Sequence, residues 1–194
     1  MSRPGVAVRD ACPDDLAAVV AMWGELRDVA GRLDRATPPV SHDGAMDRLL
    51  SITSDPDSRA LVATVGDEVV GMAVLTCAQY APLFDQNAVH VHYLHVRDGH
   101  RRRGVGKALL AAAACFAEEV GAEHVMTSVL PQLRDANRFY ARLGFGPVVV
   151  RRSVPVSLLR RRLAAEGVVA AADNLLVRRR TLRRVRAAVA RMGD

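Results

Sequence analysis

Three histidines, His90, His92 and His95, stand on one apolar run that leads straight into a basic, glycine-punctuated turn, HVHYLHVRDGHRRRGVG, from His90 to Gly106. Histidine titrates near neutral pH, so such a side chain can take a proton from an incoming nucleophile, directly or through a water. The turn offers a different chemistry. Gly104 and Gly106 let the main chain approach a ligand closely, and the helix that follows, KALLAAAACFAEE, adds the positive end of its dipole and unsatisfied N–H groups. A phosphate-bearing cofactor is the expected occupant. Two generic phosphate loops do not fit. A Walker loop would need Lys at Val105 and Ser or Thr at Gly106. A dinucleotide fingerprint needs a third glycine, Ala108 or Leu109 sits where GxGxxG/A would want Gly or Ala, and no acidic residue is plainly placed beyond.

After the strand ending Leu94-His95-Val96, the pattern Arg101-x-x-Gly104-x-Gly106 resembles the acetyl-CoA pyrophosphate loop of the GNAT N-acetyltransferase superfamily. About thirty residues on, the stretch Ala136-Asn137-Arg138-Phe139-Tyr140-Ala141-Arg142-Leu143-Gly144-Phe145 is similar to that family's second signature, a helix carrying a tyrosine and ending in Gly-Phe. Two motifs in the family's order make the resemblance specific. It implies an N-acetyltransferase that moves an acetyl group from acetyl-CoA to a primary amine by direct attack, the amine belonging to a small molecule, a peptide or a protein. It also implies that backbone groups of Leu94, His95 and Val96 align the pantetheine arm like an added strand. N–H groups across Arg101, Arg102, Arg103, Gly104, Val105, Gly106 and Lys107 would then hold the pyrophosphate, with the side chains of Arg101, Arg102 or Lys107 available to pair with phosphates. The family often carries an asparagine seven residues before its tyrosine. Leu133 stands there, and Asn137 on the same helix is the candidate substitute.

Acetylating an amine requires a free lone pair, yet an alkylamine with a pKa of about 10.4 is mostly protonated at neutral pH. The resemblance gives Tyr140 the role of the acid that protonates the departing CoA thiolate, the alternative being an aromatic packed on the sheet. The run His90-x-His92-x-Leu94-x-Val96 is similar to a strand in the family where two such histidines remove the proton through water, which makes His90 and His92 the candidate base. The alternative is a pair of hydrogen-bonded sheet histidines. Strict strand alternation sets His90 and His92 on one face and Tyr93 and His95 on the other. The acceptor should be met by the early helices, the loop after Cys77 and the segment after Phe145. Asp85, Asp98 and Glu68 are carboxylates that could attract a cationic amine.

The elements that must position these residues follow from periodicity. Val6–Arg9 reads as a strand, and Asp14-Asp15 opens an amphipathic helix to about Arg32, with Leu16, Val19, Val20, Trp23 and Leu26 at helical spacing. Thr37-Pro38-Pro39 breaks the chain. A short helix covers Gly44–Ile52, and strands Ala60–Val65 and Glu68–Cys77 flank the turn Gly66-Asp67. Val89–Val96 is a strand, Val105–Val120 a long helix, His124–Val129 a strand, and Arg134–Leu143 a helix capped by Gly144. One or two terminal strands are expected within Pro147–Val156. The order resembles a GNAT fold, an α/β (α+β) arrangement with a central mixed, mostly antiparallel sheet flanked by helices. The expected domains are 1–156 for the acetyltransferase and 157–194 for a basic, helical C-terminal extension.

Charge separates these two parts. Residues 157–194 hold ten arginines against three acidic residues, leaving 17 basic and 18 acidic side chains in residues 1–156. The catalytic part therefore gives no argument for nucleic acid. The helix suggested by DNLLVRRRTLRRVRAAVARM, with Asp173 as N-cap, could meet an acidic partner, or could lay Leu175, Leu176, Leu182, Val185 and Val189 on the domain or on another subunit of a homodimer. No apolar run approaches the eighteen or so residues of a membrane span, and no signal peptide is visible after MSRPGVAVRD, so a cytoplasmic protein is expected. Cys12, Cys77 and Cys115 form no CxxC pair and support no metal site. Cys115, between Ala114 and Phe116, reads as a small buried hydrophobe rather than a nucleophile. Two further readings stay open: a catalytically weak module that binds acyl-CoA and regulates a partner, and a nucleic-acid-associated protein acting through its tail.

Overall fold

Strand, helix and turn signals resolve into a five-stranded sheet covered on both faces. A computed structural model describes residues 5–33 and 42–165 of the chain. β1 (Val6–Asp10) leads through a short 3-10 turn, Pro13–Asp15, into α1 (Leu16–Leu33), and α2 (His42–Thr53) follows. β2 (Ser58–Val65), β3 (Glu68–Gln79) and β4 (Asn87–Val96) form a meander, then α3 (Val105–Glu119) crosses to β5 (His124–Thr127), and α4 (Arg134–Ala141) closes this part. The strands lie in the order β1-β2-β3-β4-β5. All neighbours are antiparallel except β4 and β5, which are parallel because the α3 crossover returns the chain in the same direction. The expected mixed, mostly antiparallel sheet is therefore present.

The central strands are buried on both faces, which is why β2 and β3 read as nearly continuous apolar runs rather than alternating ones. On one face Leu61, Ala63, Ala73, Leu75, Val89 and Val91 pack with Val105, Leu109, Ala113 and Phe116 of α3. On the other, Ala60, Val62, Met72 and Val74 meet Leu16, Val19 and Val20 of α1 and Ala45 and Leu49 of α2. Each large aliphatic buried in this way stabilises the fold by about 1.5–3 kcal/mol. Cys115 is a correction: it lies on the exposed side of α3, not in the core. The apolar side of that helix is already supplied by Leu109, Ala113 and Phe116, and Cys115, two positions after Ala113 and one before Phe116, points away.

Asp15 joins β1 to the start of α1. Its carboxylate accepts hydrogen bonds from both Arg9 Nη1 and Nη2, and from the Cys12 N–H at 2.8 Å. The Arg9 guanidinium, helped by the Cys12 donors, holds the Asp15 carboxyl well below the usual carboxylate range despite its burial. Asp15→Ala should lower stability by about 1–3 kcal/mol, because it leaves those donors without their acceptor. A depressed native pKa means the contribution is present above about pH 4 and is lost as pH falls through the native value. Urea unfolding as a function of pH is the check: the midpoint difference between wild type and variant should narrow in acid.

Residues 147–165 belong to a second compact unit, 147–194. The terminal strands expected within Pro147–Val156 are not formed. Residues 147–155 have no regular structure, and α5 (Val156–Ala165) follows. Val148, Val149 and Val150 are 68%, 69% and 76% exposed, and β-branched residues hold an extended strand only when a neighbouring strand supplies the ladder and a face to pack on. The Thr37-Pro38-Pro39 break and the helix expected from Asp173 onward, with Leu175, Leu176, Leu182, Val185 and Val189, lie outside the described residues. Among the described residues no helix is long and apolar enough to cross a membrane.

Candidate active site

β4 changes geometry at the centre of the histidine run. Tyr93 has φ +52°, and Tyr93 and Leu94 together oppose Ala73, because Val74 pairs with His92 and Met72 with His95. This is a β-bulge, two residues facing one, and it bends the strand away from its line. The parallel ladder to β5 runs from Ala88 against His124 to Val91 against Thr127 and ends there, just before the bulge. Beyond it Leu94–Val96 keeps only its β3 side. Arg97 N–H donates to Val70 of β3 at 3.0 Å, and N–H and C=O of one trans peptide point opposite ways, so the Val96 carbonyl faces the open side. Arg101 Nε donates to it there at 3.1 Å. An extended polar chain could pair with this edge.

Directly after the edge, the loop shapes a cup of main-chain donors. Asp98–His100 forms a 3-10 turn, Arg101 Nη2 bonds Asp98 at 2.9 Å, and Arg102 and Gly104 take φ +60° and +89°. Gly104 is the N-cap of α3, and no side chain caps that end, so the first-turn N–H groups carry the dipole's positive end without a partner from the helix itself. Left-handed backbone at Gly104 is the reason for glycine there. Gly106 serves a different end: a Cβ on it would lie 3.2 Å from Phe139 Cζ, so the missing side chain lets α4 pack on the first turn of α3. Arg101, Arg102, Arg103 and Lys107 are exposed around the cup. Asn137 donates its amide N–H groups to the Leu130 and Leu133 carbonyls, 2.9 Å each, and so clips the loop between β5 and α4.

The bulge also redistributes the histidines. His90 and His92 pair with Thr76 and Val74 and share the sheet face covered by α1 and α2. Strict alternation set His95 on the opposite face. The extra residue at the bulge shifts the phase, so His95, paired with Met72, returns to the face of His90 and His92. The rings of His90 and His92 are stacked, centroids 6.1 Å apart, and His92 Nε2 shares a hydrogen bond of 3.0 Å with Thr76 Oγ1. His90 Nε2 is buried with no hydrogen-bond partner in the described protein, which marks a place for a water or a ligand group. His95 Nε2 lies 3.0 Å from Glu25 Oε2 of α1, and Tyr93 meets Trp23 of the same helix edge-on.

Tyr140 comes from the other side of the sheet. Its ring packs edge-on against Phe139 and Phe145, with centroids 5.1 and 5.3 Å away, within the α3-side core. Burial pushes its phenol above the ordinary value, partly offset by a hydrogen bond with the Thr127 side chain. Thr127 in turn donates to the Val91 carbonyl at 3.1 Å, the last paired position of β4 and β5. The phenol therefore sits where those strands part, with the histidines across the sheet. Burial likewise pushes the Cys77 thiol up, which disfavours a thiolate nucleophile. Of the carboxylates considered for an amine, Glu68 pairs with Arg97 at 3.3 Å and Asp98 with Arg101, while Asp85 is exposed. Among the described residues no three His, Cys, Asp or Glu side chains converge to hold a metal ion.

The sequence model of the acetyltransferase (GNAT) family matches residues 26–145. The chain belongs to this family. Its members are acetyl-CoA-dependent acyltransferases. A streptothricin acetyltransferase from Streptomyces lavendulae is 33% identical over 92 residues, 47% of this chain and 46% of that protein, so the chain spans about half the length of the relative it matches. A transcriptional regulator from Bacillus halodurans C-125 shares the GNAT fold, with 26% identity and a TM-score of 0.66 over 78% of this chain and 99% of that one. A GCN5-related N-acetyltransferase from Ralstonia eutropha JMP134 does so with 26% identity and a TM-score of 0.64, over 79% and 99%. The GNAT match takes in the bulge, the Gly104 cup and Tyr140. Glu25, Thr76 and Thr127 were not singled out from the sequence. A lone Glu on a helix, or a Thr on a strand, carries no spacing signal, and each is brought to its histidine or tyrosine only by the packing of separate elements.

Proposed function

We propose that this GNAT chain is an N-acetyltransferase that moves an acetyl group from acetyl-CoA to a primary amine. The observation that carries the reading is the open edge at Leu94–Val96 immediately followed by the uncapped α3 N-terminus at Gly104. An unpaired strand edge suits the amides of the pantetheine arm, and a concave set of N–H groups with three arginines and Lys107 around it suits a pyrophosphate. The donor chemistry thus fits the co-substrate. Acetyl-CoA, when bound, supplies an activated acetyl thioester.

The residues divide the remaining work. Main chain at Leu94, His95 and Val96 aligns the arm, which requires Arg101 to release the Val96 carbonyl. N–H groups from Arg101 to Lys107 hold the phosphates, and Asn137 supports them at one remove by fixing the loop before α4. Tyr140 keeps its proton through the neutral range and gives it to the departing sulfur. His90 and His92 carry the amine's proton away through water, a role that the unsatisfied His90 Nε2 favours. The acceptor enters from the side of α1 and α2. Streptothricin belongs among the amines to be tried, since a relative is named for it.

Thiol release from acetyl-CoA against a panel of arylalkylamines, diamines, amino sugars, peptide N-termini and streptothricin, with calorimetric titration of CoA, tests the reading. Turnover with one class supports it and names the acceptor. Tight CoA binding without turnover would favour a regulatory module, and absence of both would overturn the reading.

A further inference from the structure

We propose that His95, held by Glu25, is the first proton acceptor in the transfer, with His90 and His92 passing the proton onward. The inference rests on the N-acetyltransferase reading above. Three observations converge on His95. The bulge at Tyr93 turns its side chain onto the face of His90 and His92, under α1. It lies between Leu94 and Val96, on the stretch whose main chain has lost its β5 partner, whereas His90 and His92 precede the bulge. It is also backed by a carboxylate: its side chain is 7% exposed and bonded to Glu25, which is 51% exposed and reaches solvent.

A carboxylate on Nε2 selects the tautomer with the proton on that nitrogen, leaves the lone pair on Nδ1, and stabilises the imidazolium once formed. Among the described residues, the elements packed against His95 carry these other charged groups. On α1, Arg27 stands over Trp23 at 5.3 Å and near Asp28 at 3.9 Å. On α2, Asp47 and Arg48 are exposed. The β3 residue opposite His95 is Met72, and beyond the strand Arg97 is paired with Glu68 at 3.3 Å. Trp23, two positions before Glu25 on α1, meets Tyr93 edge-on.

His95 Nδ1 takes one proton from the acceptor's R–NH3+, directly or through a water. The freed nitrogen pair forms the C–N bond to the thioester carbonyl carbon while the C–S bond breaks, and the leaving thiolate takes the Tyr140 proton. The second nitrogen proton restores Tyr140 through water, and His95 releases its own to solvent by way of His92 and His90. The products are the amide, the CoA thiol and one proton.

The test is kcat from pH 6 to 10 with the amine that supports turnover, for wild type, His95→Gln, Glu25→Gln and Glu25→Asp, with CoA titration of each. His95→Gln should lower kcat about 100-fold at pH 7 with CoA affinity nearly unchanged. That deficit should shrink as pH approaches the amine's own pKa, where no base is needed. Glu25→Gln should reduce kcat about tenfold at pH 7 with CoA affinity nearly unchanged, because the imidazole loses the partner that fixes its tautomer and orientation. Glu25→Asp should recover part of that loss. A wild-type profile in His95→Gln, with CoA binding and wild-type turnover intact, would make the pair structural and overturn the inference. If His95→Gln does not fold, a wild-type kcat in Glu25→Gln does the same. Wild type that transfers acetyl to no amine removes the N-acetyltransferase reading and this inference with it, a result distinct from a silent variant of an active enzyme.

Discussion

Replacing Gly104 with glutamate is expected to weaken CoA binding at least about 100-fold. Two costs combine. Gly104 holds φ +89° at the N-cap of α3, and a residue with a Cβ pays about 1–2 kcal/mol in that region, roughly a tenfold change by itself. A carboxylate there also opposes the phosphates and neutralises the helix's positive end. Space is not the constraint, since a Cβ at Gly104 would meet no atom within 4 Å. Gly104→Ala separates the two costs and should show about the tenfold backbone part alone. Calorimetric titration of CoA is the measurement, with urea unfolding to report the fold. An unchanged affinity in Gly104→Glu would remove the phosphate site from this loop.

The second large effect is expected at Tyr140. Tyr140→Phe keeps the ring packed on Phe139 and Phe145 and removes only the hydroxyl beside Thr127. If that hydroxyl protonates the leaving sulfur, kcat should fall about 100-fold or more while the CoA dissociation constant stays within about twofold. Burial raises the phenol's pKa, so its protonated form should serve throughout neutral and mildly alkaline solution, and activity should lose this acid only above about pH 10. Equal losses in turnover and cofactor affinity would identify a structural tyrosine instead. Single-turnover rates with saturating acetyl-CoA distinguish the outcomes.

Much of the fold was legible because its signals are local. The helical spacing of Leu16, Val19 and Val20 and the alanine-rich run after Gly106 mark α1 and α3, and the Gly66-Asp67 turn sets the meander of β2 and β3. The turn before α3 was legible for the same reason, since positive φ and an uncapped helix start depend on a few consecutive residues. The segment after Phe145 was misjudged. Its valines have strand propensity, but a strand exists only through its ladder, and Val148–Val150 has none among the described residues.

By itself the sequence determined the family and the order of elements from β1 to α4, because each rests on residue types at short, regular spacing. Only the tertiary structure decided which histidines share a face of the sheet. Alternation has a period of two, and one extra residue at Tyr93 reverses every later side chain, so His95 changes face without any change of composition. Its pairing with Glu25, seventy residues away, and the meeting of Tyr140 with Thr127 depend on how α1 and α4 pack on the sheet. Contacts of that kind carry no local signal, because their geometry comes from the burial of apolar surface elsewhere on the same elements.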